Sequence, residues 1–231
     1  MTLGLFDYPQ KAAFGRVLPK SKVYTFGKVT RRLRDLFAKD VEQVVWRYKL
    51  APETINLPSG PGVAEIQVFG VELKPGVAKL TLDLLECIDH AIAFPIIFEV
   101  TVTTNAVGRI KTVAAFKRPS DADSAKWVVG EYFSTEWMSI DTMRSPLPVA
   151  LNLTGLYEQM IQQLIPIGVR TGESLQSLAE RCHVLAMKKR ELQKLEVQLD
   201  RERQFNRRVA LNSLLRTIKA EVAALADAQK H

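Results

Sequence analysis

The chain has 231 residues, 47% hydrophobic and 25% charged, with two cysteines and a formal net charge of +7. This balance excludes disorder throughout, and two cysteines far apart in sequence support neither a disulfide framework nor a thiolate metal cluster. Asp7 and Pro9 interrupt the apolar start that an export signal would need, and the longest apolar passage, residues 91–98, is too short to span a bilayer. We therefore expect a cytoplasmic protein that does not span a membrane.

The first part of the chain predicts strands that alternate with amphipathic helices. β-branched and aromatic residues fill 41–50, whereas apolar residues in 28–38 and 78–92 recur at helical spacing. On the second of these helices, Asp89 and His90 are expected to be exposed, because adjacent helical side chains point about 100° apart and cannot form a dyad. The expected elements are an entry strand or extended arm at 19–24, a helix at 28–38, a strand at 41–50, a Pro- and Gly-rich loop at 51–62, a strand at 63–73 and a helix at 78–92.

More strands and one more helix complete the predicted domain. Because closely connected strands pair antiparallel, we expect an α+β fold with a mixed, mostly antiparallel sheet and helices on one face. This domain is assigned to residues 1–170. Its remaining elements are strands at 95–104 and 110–117 with a hairpin-like connection at 105–108, a polar loop at 119–125, a strand at 127–133 and a helix at 153–164.

A long helical arm is predicted for residues 173–231. Residues 173–228 contain neither glycine nor proline, and leucines recur among charged residues at coiled-coil-like spacing. The spacing breaks at Glu202 and Asn206. A hairpin with a turn near 204–206 and an unbroken rod with a polar layer both fit; the hairpin is favoured because it buries both stripes within one chain. The two seams comprise Leu178, Cys182, Leu185, Leu192, Leu195 and Leu199, and then Leu211, Leu215, Ile218, Val222 and Leu225.

Basic charge concentrates at the two ends of the chain. Residues 1–60 carry a net charge of +6 and residues 173–231 one of +4. Three arginines of the first predicted helix, Arg31, Arg32 and Arg34, are candidate nucleic-acid contacts together with the arm, because such side chains release counterions from phosphates. Solvated surface and attraction to an acidic partner explain the same charges.

Motifs that support catalysis are scarce. The sequence has three histidines and lacks the glycine-rich phosphate loops, the H-E-x-x-H pattern and paired C-x-x-C motifs. The leading interpretation therefore assigns no catalytic residue, cofactor or metal. The alternative is a restriction-endonuclease-like DNA nuclease, in which Glu53, Glu72 and Lys74, the last two in an E-x-K pattern, would hold Mg²⁺ and steady the attacking water.

Five ordered stretches carry a resemblance to a known family. They are Tyr48–Asn56, Glu65–Phe69, Phe94–Phe98, Tyr132–Ser134 with Trp137, and Gln204–Asn212. Together they resemble a family of bacterial proteins catalogued as domain of unknown function 4391, over nearly the whole chain. The resemblance implies a companion of DNA methyltransferases and helicase-like ATPases in restriction or antiphage gene clusters. It brings no catalytic residues with it.

The expected function is that of a non-enzymatic accessory subunit that binds partner proteins through the arm. The absent catalytic motifs and the leucine seams motivate this hypothesis. The partner would be a helicase-like ATPase or DNA methyltransferase of the same system, or a second copy of the chain. The residues expected to bind it are Leu192, Leu195, Leu199, Phe205, Asn206, Val209 and Asn212.

Overall fold

A computed structural model describes residues 4–26, 29–77, 80–104, 106–120 and 127–228. The chain divides into two compact units, Met1–Leu164 and Ile165–His231. Parts of the sequence-based predictions lie outside the described residues: the start of the first helix, residues 78–79, Asn105, most of the polar loop at 119–125, and the last three residues of the arm.

The first unit contains five α-helices among its described residues. They are α1 (Lys20–Phe26), α2 (Arg31–Asp40), α3 (Pro52–Ile55), α4 (Leu82–Ala91) and α5 (Leu153–Gln162). Helix α2 begins at a capping residue, Thr30, whose hydroxyl accepts a hydrogen bond from the Leu33 amide at 3.3 Å. Helix α5 begins in the same way at Asn152, which accepts from the Gly155 amide at 2.9 Å.

A mixed sheet forms the centre of this unit. Its strands are β2 (Ala13–Val17), β3 (Val41–Leu50), β4 (Ile66–Leu73), β5 (Ile96–Thr104), β6 (Val107–Pro119), β7 (Trp127–Ser134) and β8 (Met138–Ser139). They follow the order β2-β3-β4-β5-β6-β7, with β8 paired to β6. Strands β4 and β5 are parallel and joined by a crossover through α4, whereas the other pairs are antiparallel. Apart from this sheet, β1 (Phe6–Asp7) pairs in parallel with β9 (Ser145–Pro146). The predicted α+β class with a mixed, mostly antiparallel sheet is confirmed.

Two segments differ from their predictions. Residues 19–24, expected to be extended, form most of α1, whose Val23 is buried in the same core as Phe37. Burial of that side chain outweighs the weak β preference of a Val-Tyr-Thr run. The loop predicted at 51–62 begins with α3, because Pro52 suits the first helical position and the Thr54 hydroxyl accepts from the Ala51 amide at 2.9 Å.

The two faces of the sheet have different chemistry. On one face Phe69, Phe98 and Val113 lie in register across β4, β5 and β6 and pack with Leu84 and Ile88 of α4. Burying each such side chain contributes about 1.5–3 kcal/mol. Along the next row the side chains point to the opposite face, and there Gly70, Glu99 and Thr112 lie in register.

The second unit is a helical hairpin. Helix α6 (Leu175–Arg201) begins at Ser174, whose hydroxyl accepts from the Ser177 amide at 3.1 Å, and α7 (Phe205–Ala226) returns antiparallel to it. Residues 202–204 form the turn, so its centre lies two residues before that of the turn predicted at 204–206. The structure therefore selects the hairpin over the unbroken rod.

Candidate functional site

The distal half of the hairpin lacks a buried core. Close to the base, Leu178, Leu185, Leu215 and Ile218 are buried. From 186 to 214, a range that the structure describes throughout, no side chain is buried. At 1.5 Å per residue, the stretch of α6 beyond Leu185 is about 24 Å long. In this part of the arm the two helices therefore leave their apolar side chains accessible.

Interhelical ion pairs do not replace the missing core. Lys188 lies 2.8 Å from Glu221, and Lys219 lies 3.1 Å from Glu196, so both pairs join α6 to α7. All four side chains remain at least one-third exposed. Exposed pairs of this kind contribute about 0–1 kcal/mol.

The tip of the hairpin exposes an apolar pair. Phe205 is 76% exposed and Val209 is 54% exposed, and the two lie one helical turn apart at the start of α7. Four exposed arginines surround them in sequence: Arg201, Arg203, Arg207 and Arg208. We call Phe205, Val209 and these four arginines the tip surface. An exposed aromatic side chain among cations is typical of protein-binding surfaces.

The residues predicted to bind a partner divide into two groups. Leu192, Leu195 and Leu199 are half-buried along α6. The remaining four are exposed on the first two turns of α7, namely Phe205, Asn206, Val209 and Asn212. Within this group, the Asn212 amide donates to the Arg208 carbonyl at 3.0 Å.

A buried ion pair closes the base of the hairpin. The Arg181 guanidinium binds both carboxylate oxygens of Glu173 at 2.7 Å, and it also donates to the carbonyls of Gly168 at 2.6 Å and Leu225 at 2.7 Å. Arg170 donates to the Ala224 and Asp227 carbonyls at 2.6 and 3.0 Å. Two arginines thereby satisfy carbonyls at the end of α7, which would otherwise lack partners.

The three arginines predicted as nucleic-acid contacts lie in the first turns of α2. Arg31, Arg32 and Arg34 are all exposed. The Arg34 guanidinium lies 5.7 Å from the centroid of the Tyr24 ring, which fixes its direction. Positive charge at a helix N-terminus opposes the helix dipole, at a cost of about 0.3–1 kcal/mol per residue.

The alternative nuclease residues do not form one site. Glu53 follows the Leu50 end of β3, which pairs with Ile66, whereas Glu72 and Lys74 lie at the far end of β4. Seven residues of strand, about 23 Å, separate the two ends. A nuclease using all three residues requires them to converge, and the structure keeps them apart.

Each of these three side chains has a local partner. The Glu53 carboxylate lies 2.8 Å from the Lys49 ammonium, and this hydrogen bond lowers the pKa of Glu53. Glu72 accepts from the Gln43 amide at 2.7 Å. Lys74 donates to the Ala38 carbonyl at 2.8 Å, in the last turn of α2. Within the described residues, no group of three or more His, Cys, Asp or Glu side chains is placed to hold a metal ion.

A buried charge cluster, which is not among the predicted sites, lies at the centre of the sheet. The Glu99 carboxylate, whose side chain is 0% exposed, accepts two hydrogen bonds from Arg144 at 2.6 and 3.0 Å and one from Arg47 at 3.0 Å. Arg144 also donates to the Phe6 carbonyl at 2.7 Å, which ties β1 to the cluster. Burial raises the pKa of the neighbouring Tyr8 hydroxyl, and the Glu99 charge adds to the rise.

Two backbone features make room for Arg47. The pairing of β3 with β4 shifts register between Trp46 and Tyr48, and a bulge of this kind re-aims a side chain. Gly70 lies beneath the guanidinium, and a Cβ at that position would approach the Arg47 Nε to 2.2 Å. The absence of a side chain at Gly70 therefore leaves the space that the Arg47 side chain occupies.

A second buried charge corrects the prediction for Asp89. Instead of being exposed, Asp89 is 2% exposed, and the Lys117 ammonium donates to its carbonyl at 2.6 Å and lies 3.4 Å from its carboxylate. Lys117 also donates to the Ile92 carbonyl, and the Tyr132 hydroxyl donates to the Asp89 carboxylate. Burial raises the pKa of Asp89 and lowers that of Lys117. This network joins the end of α4 to β6 and β7.

Comparison with known proteins places the chain in a family. The family model described as domain of unknown function (DUF4391) matches residues 6–222. The chain belongs to this family. No curated protein and no solved structure matches the chain.

The match of this DUF4391 member spans the sheet, α5 and nearly all of the hairpin. It confirms the resemblance drawn from the five ordered stretches. None of the helices in the described ranges combines the length and the apolar character that crossing a membrane requires.

Proposed function

We propose that this protein is a non-enzymatic accessory subunit of a bacterial restriction or antiphage system, and that its arm binds another protein in the cytoplasm. The tip surface carries the proposal, because Phe205 is 76% exposed at the end of a hairpin half that has no buried side chain. When no partner is bound, holding these exposed side chains in one arrangement costs conformational entropy. No burial of apolar surface offsets that cost.

The charge of the tip surface defines the partner's chemistry. Four arginines lie beside the apolar pair against two acids in residues 200–209, namely Asp200 and Glu202, the latter 4.0 Å from Arg207. A partner with an apolar groove and an acidic rim complements this surface. Two tips of the same chain repel each other, which favours a different protein over a second copy. The helicase-like ATPase or DNA methyltransferase implied by the family resemblance is the proposed partner.

Changing the apolar pair tests this proposal. The double variant Phe205→Asp, Val209→Asp is expected to weaken assembly with the neighbouring methyltransferase or ATPase by at least 100-fold, because a buried aromatic anchor contributes about 2–4 kcal/mol to an interface. Co-purification from cells that express both proteins, followed by titration calorimetry, measures the effect. Circular dichroism checks that the helices persist.

The matched control lies outside the arm. Val149 is 94% exposed in the first unit, so Val149→Asp adds a charge at a position more exposed than Phe205 and Val209 and should leave the affinity unchanged. If the arm variant binds with wild-type affinity, the tip surface is not part of the interface. Concentration-dependent sedimentation of the wild type that the arm variant abolishes would instead identify a second copy as the occupant.

Nucleic-acid binding through α2 is a second candidate function. Three exposed arginines in the first turns of a helix oppose its dipole, and phosphate groups would offset that cost. Binding of a duplex DNA is then expected to weaken steeply with salt, and the variant Arg31→Ala, Arg32→Ala should reduce the slope of log K against log salt by about 2. A fluorescence anisotropy titration at several salt concentrations measures both slopes. Equal slopes for the two proteins would exclude these arginines.

A further inference from the structure

A cavity of about 310 Å³ lies on the α4 side of the sheet, within the first unit. It opens between the start of α4 and strands β6 and β7. Apolar side chains form most of its wall, and one ammonium group enters it. The lining residues are Leu80, Leu82, Lys111, Val113, Tyr132, Ser134 and Trp137.

The ammonium group of Lys111 has no anionic partner among the described residues. Its Nζ lies 5.6 Å from the centroid of the Trp137 ring, and no hydrogen bond or ion pair of this group is formed in the described part of the chain. Burial lowers the pKa of Lys111, and the charge of exposed Glu136 opposes this only in part. A partly desolvated cation without a counter-ion is unfavourable until an anion reaches it.

The other polar groups of the wall restrict the ligand. The Tyr132 hydroxyl is already committed to the Asp89 carboxylate. The side-chain donors that remain are the Lys111 ammonium, the Ser134 hydroxyl and the indole N–H of Trp137. One cation with two neutral donors suits a singly charged anion, whereas phosphate groups usually occupy sites with more positive charge or with several backbone amides.

We propose that this cavity binds a small organic acid, with its carboxylate on Lys111 and its apolar body against Leu82, Val113 and Trp137. The volume equals that of about ten water molecules at ~30 Å³ each, so it fits an acid with a similar number of non-hydrogen atoms. The site is of the usual kind for small ligands, a mostly apolar cavity with few polar groups. It is independent of the arm.

A homologous series of fatty acids tests the proposal on the wild-type protein. Butanoate, hexanoate and octanoate are titrated by calorimetry and by tryptophan fluorescence, since Trp137 lines the cavity. Affinity is expected to rise about fourfold for each added CH₂ until the cavity is full. Hexan-1-ol and hexylamine, which share the chain but lack the negative charge, should bind at least tenfold more weakly than hexanoate.

A matched pair of variants locates the charge. Lys111→Met keeps the side-chain length and should abolish the preference for hexanoate over hexan-1-ol. Arg109→Met removes an exposed positive charge from the same strand, outside the cavity, and should leave that preference intact. The proposal is overturned if no acid of the series binds at 10 mM, if hexylamine binds as well as hexanoate, or if the two variants behave alike.

Discussion

Glu99→Leu is expected to lower the free energy of unfolding by about 3–5 kcal/mol, because it leaves two guanidinium groups at a buried site without their carboxylate. Glu99 is fully buried, and Arg144, which is about one-third exposed, is also tied to β1 by its hydrogen bond to the Phe6 carbonyl. Urea denaturation monitored by circular dichroism measures the change.

Two further variants distinguish the cluster from simple loss of volume. Replacing Glu99, Arg47 and Arg144 together by Leu, Met and Met should recover most of the stability, since a buried ion pair is often replaceable by apolar groups. Gly70→Ala should cost less than Glu99→Leu, because the new methyl group displaces only the flexible end of Arg47 while Arg144 keeps both of its hydrogen bonds to Glu99. Thr103→Ala, at an exposed position of the same strand, should change stability by less than about 0.5 kcal/mol. A triple variant less stable than Glu99→Leu would contradict this account.

Arg181→Met is expected to open the base of the hairpin. It removes the partner of buried Glu173 and leaves the Gly168 and Leu225 carbonyls without their donor, at a cost of about 3–5 kcal/mol. Hydrogen exchange of amides in the last turns of α7 should accelerate by at least 100-fold. Arg190→Met, on an exposed position of the same helix, should leave these exchange rates within about twofold.

The pH dependence of this base follows from Glu173. Its hydrogen bonds with Arg181 lower the pKa of Glu173 below its ordinary value of 4.5. A carboxylate whose folded pKa is depressed adds stability that is present above the unfolded pKa and is lost as the pH falls through the folded pKa. Wild type should therefore exceed Glu173→Gln in stability at pH 7, and the difference should shrink below about pH 4.5. A constant difference down to pH 2 would show that the charge is not responsible.

Regular periodicity made most of the fold predictable from the sequence. Strand β3 has the predicted bounds, because its β-branched and aromatic residues are bounded by a helix end and by Pro52. The hairpin is the favoured one of two options from the sequence, since Glu202 and Asn206 suit a turn as well as a polar layer. The amphipathic pattern alone cannot choose between them.

The buried charges could not be predicted in the same way. Glu99 is the one charged residue in the buried run 96–102, and a lone acid in such a run is a signal that a partner is required. The sequence does not say that this partner is Arg144, 45 residues away, or that a bulge aims Arg47 at it. The prediction that Asp89 is exposed was wrong because helical periodicity places it opposite the core stripe. In the fold, Lys117 of β6 pairs with it.

Because side-chain burial is uneven along the hairpin, we expect it to unfold from one end. The base is held by Arg170, Arg181 and a leucine core, whereas no side chain from 186 to 214 is buried. Local opening therefore starts at the tip and stops near Leu185 and Leu215, so that amide protection should decline steadily outwards. A protein that binds the tip would move this boundary towards the tip, so that the distal turns of both helices stay folded.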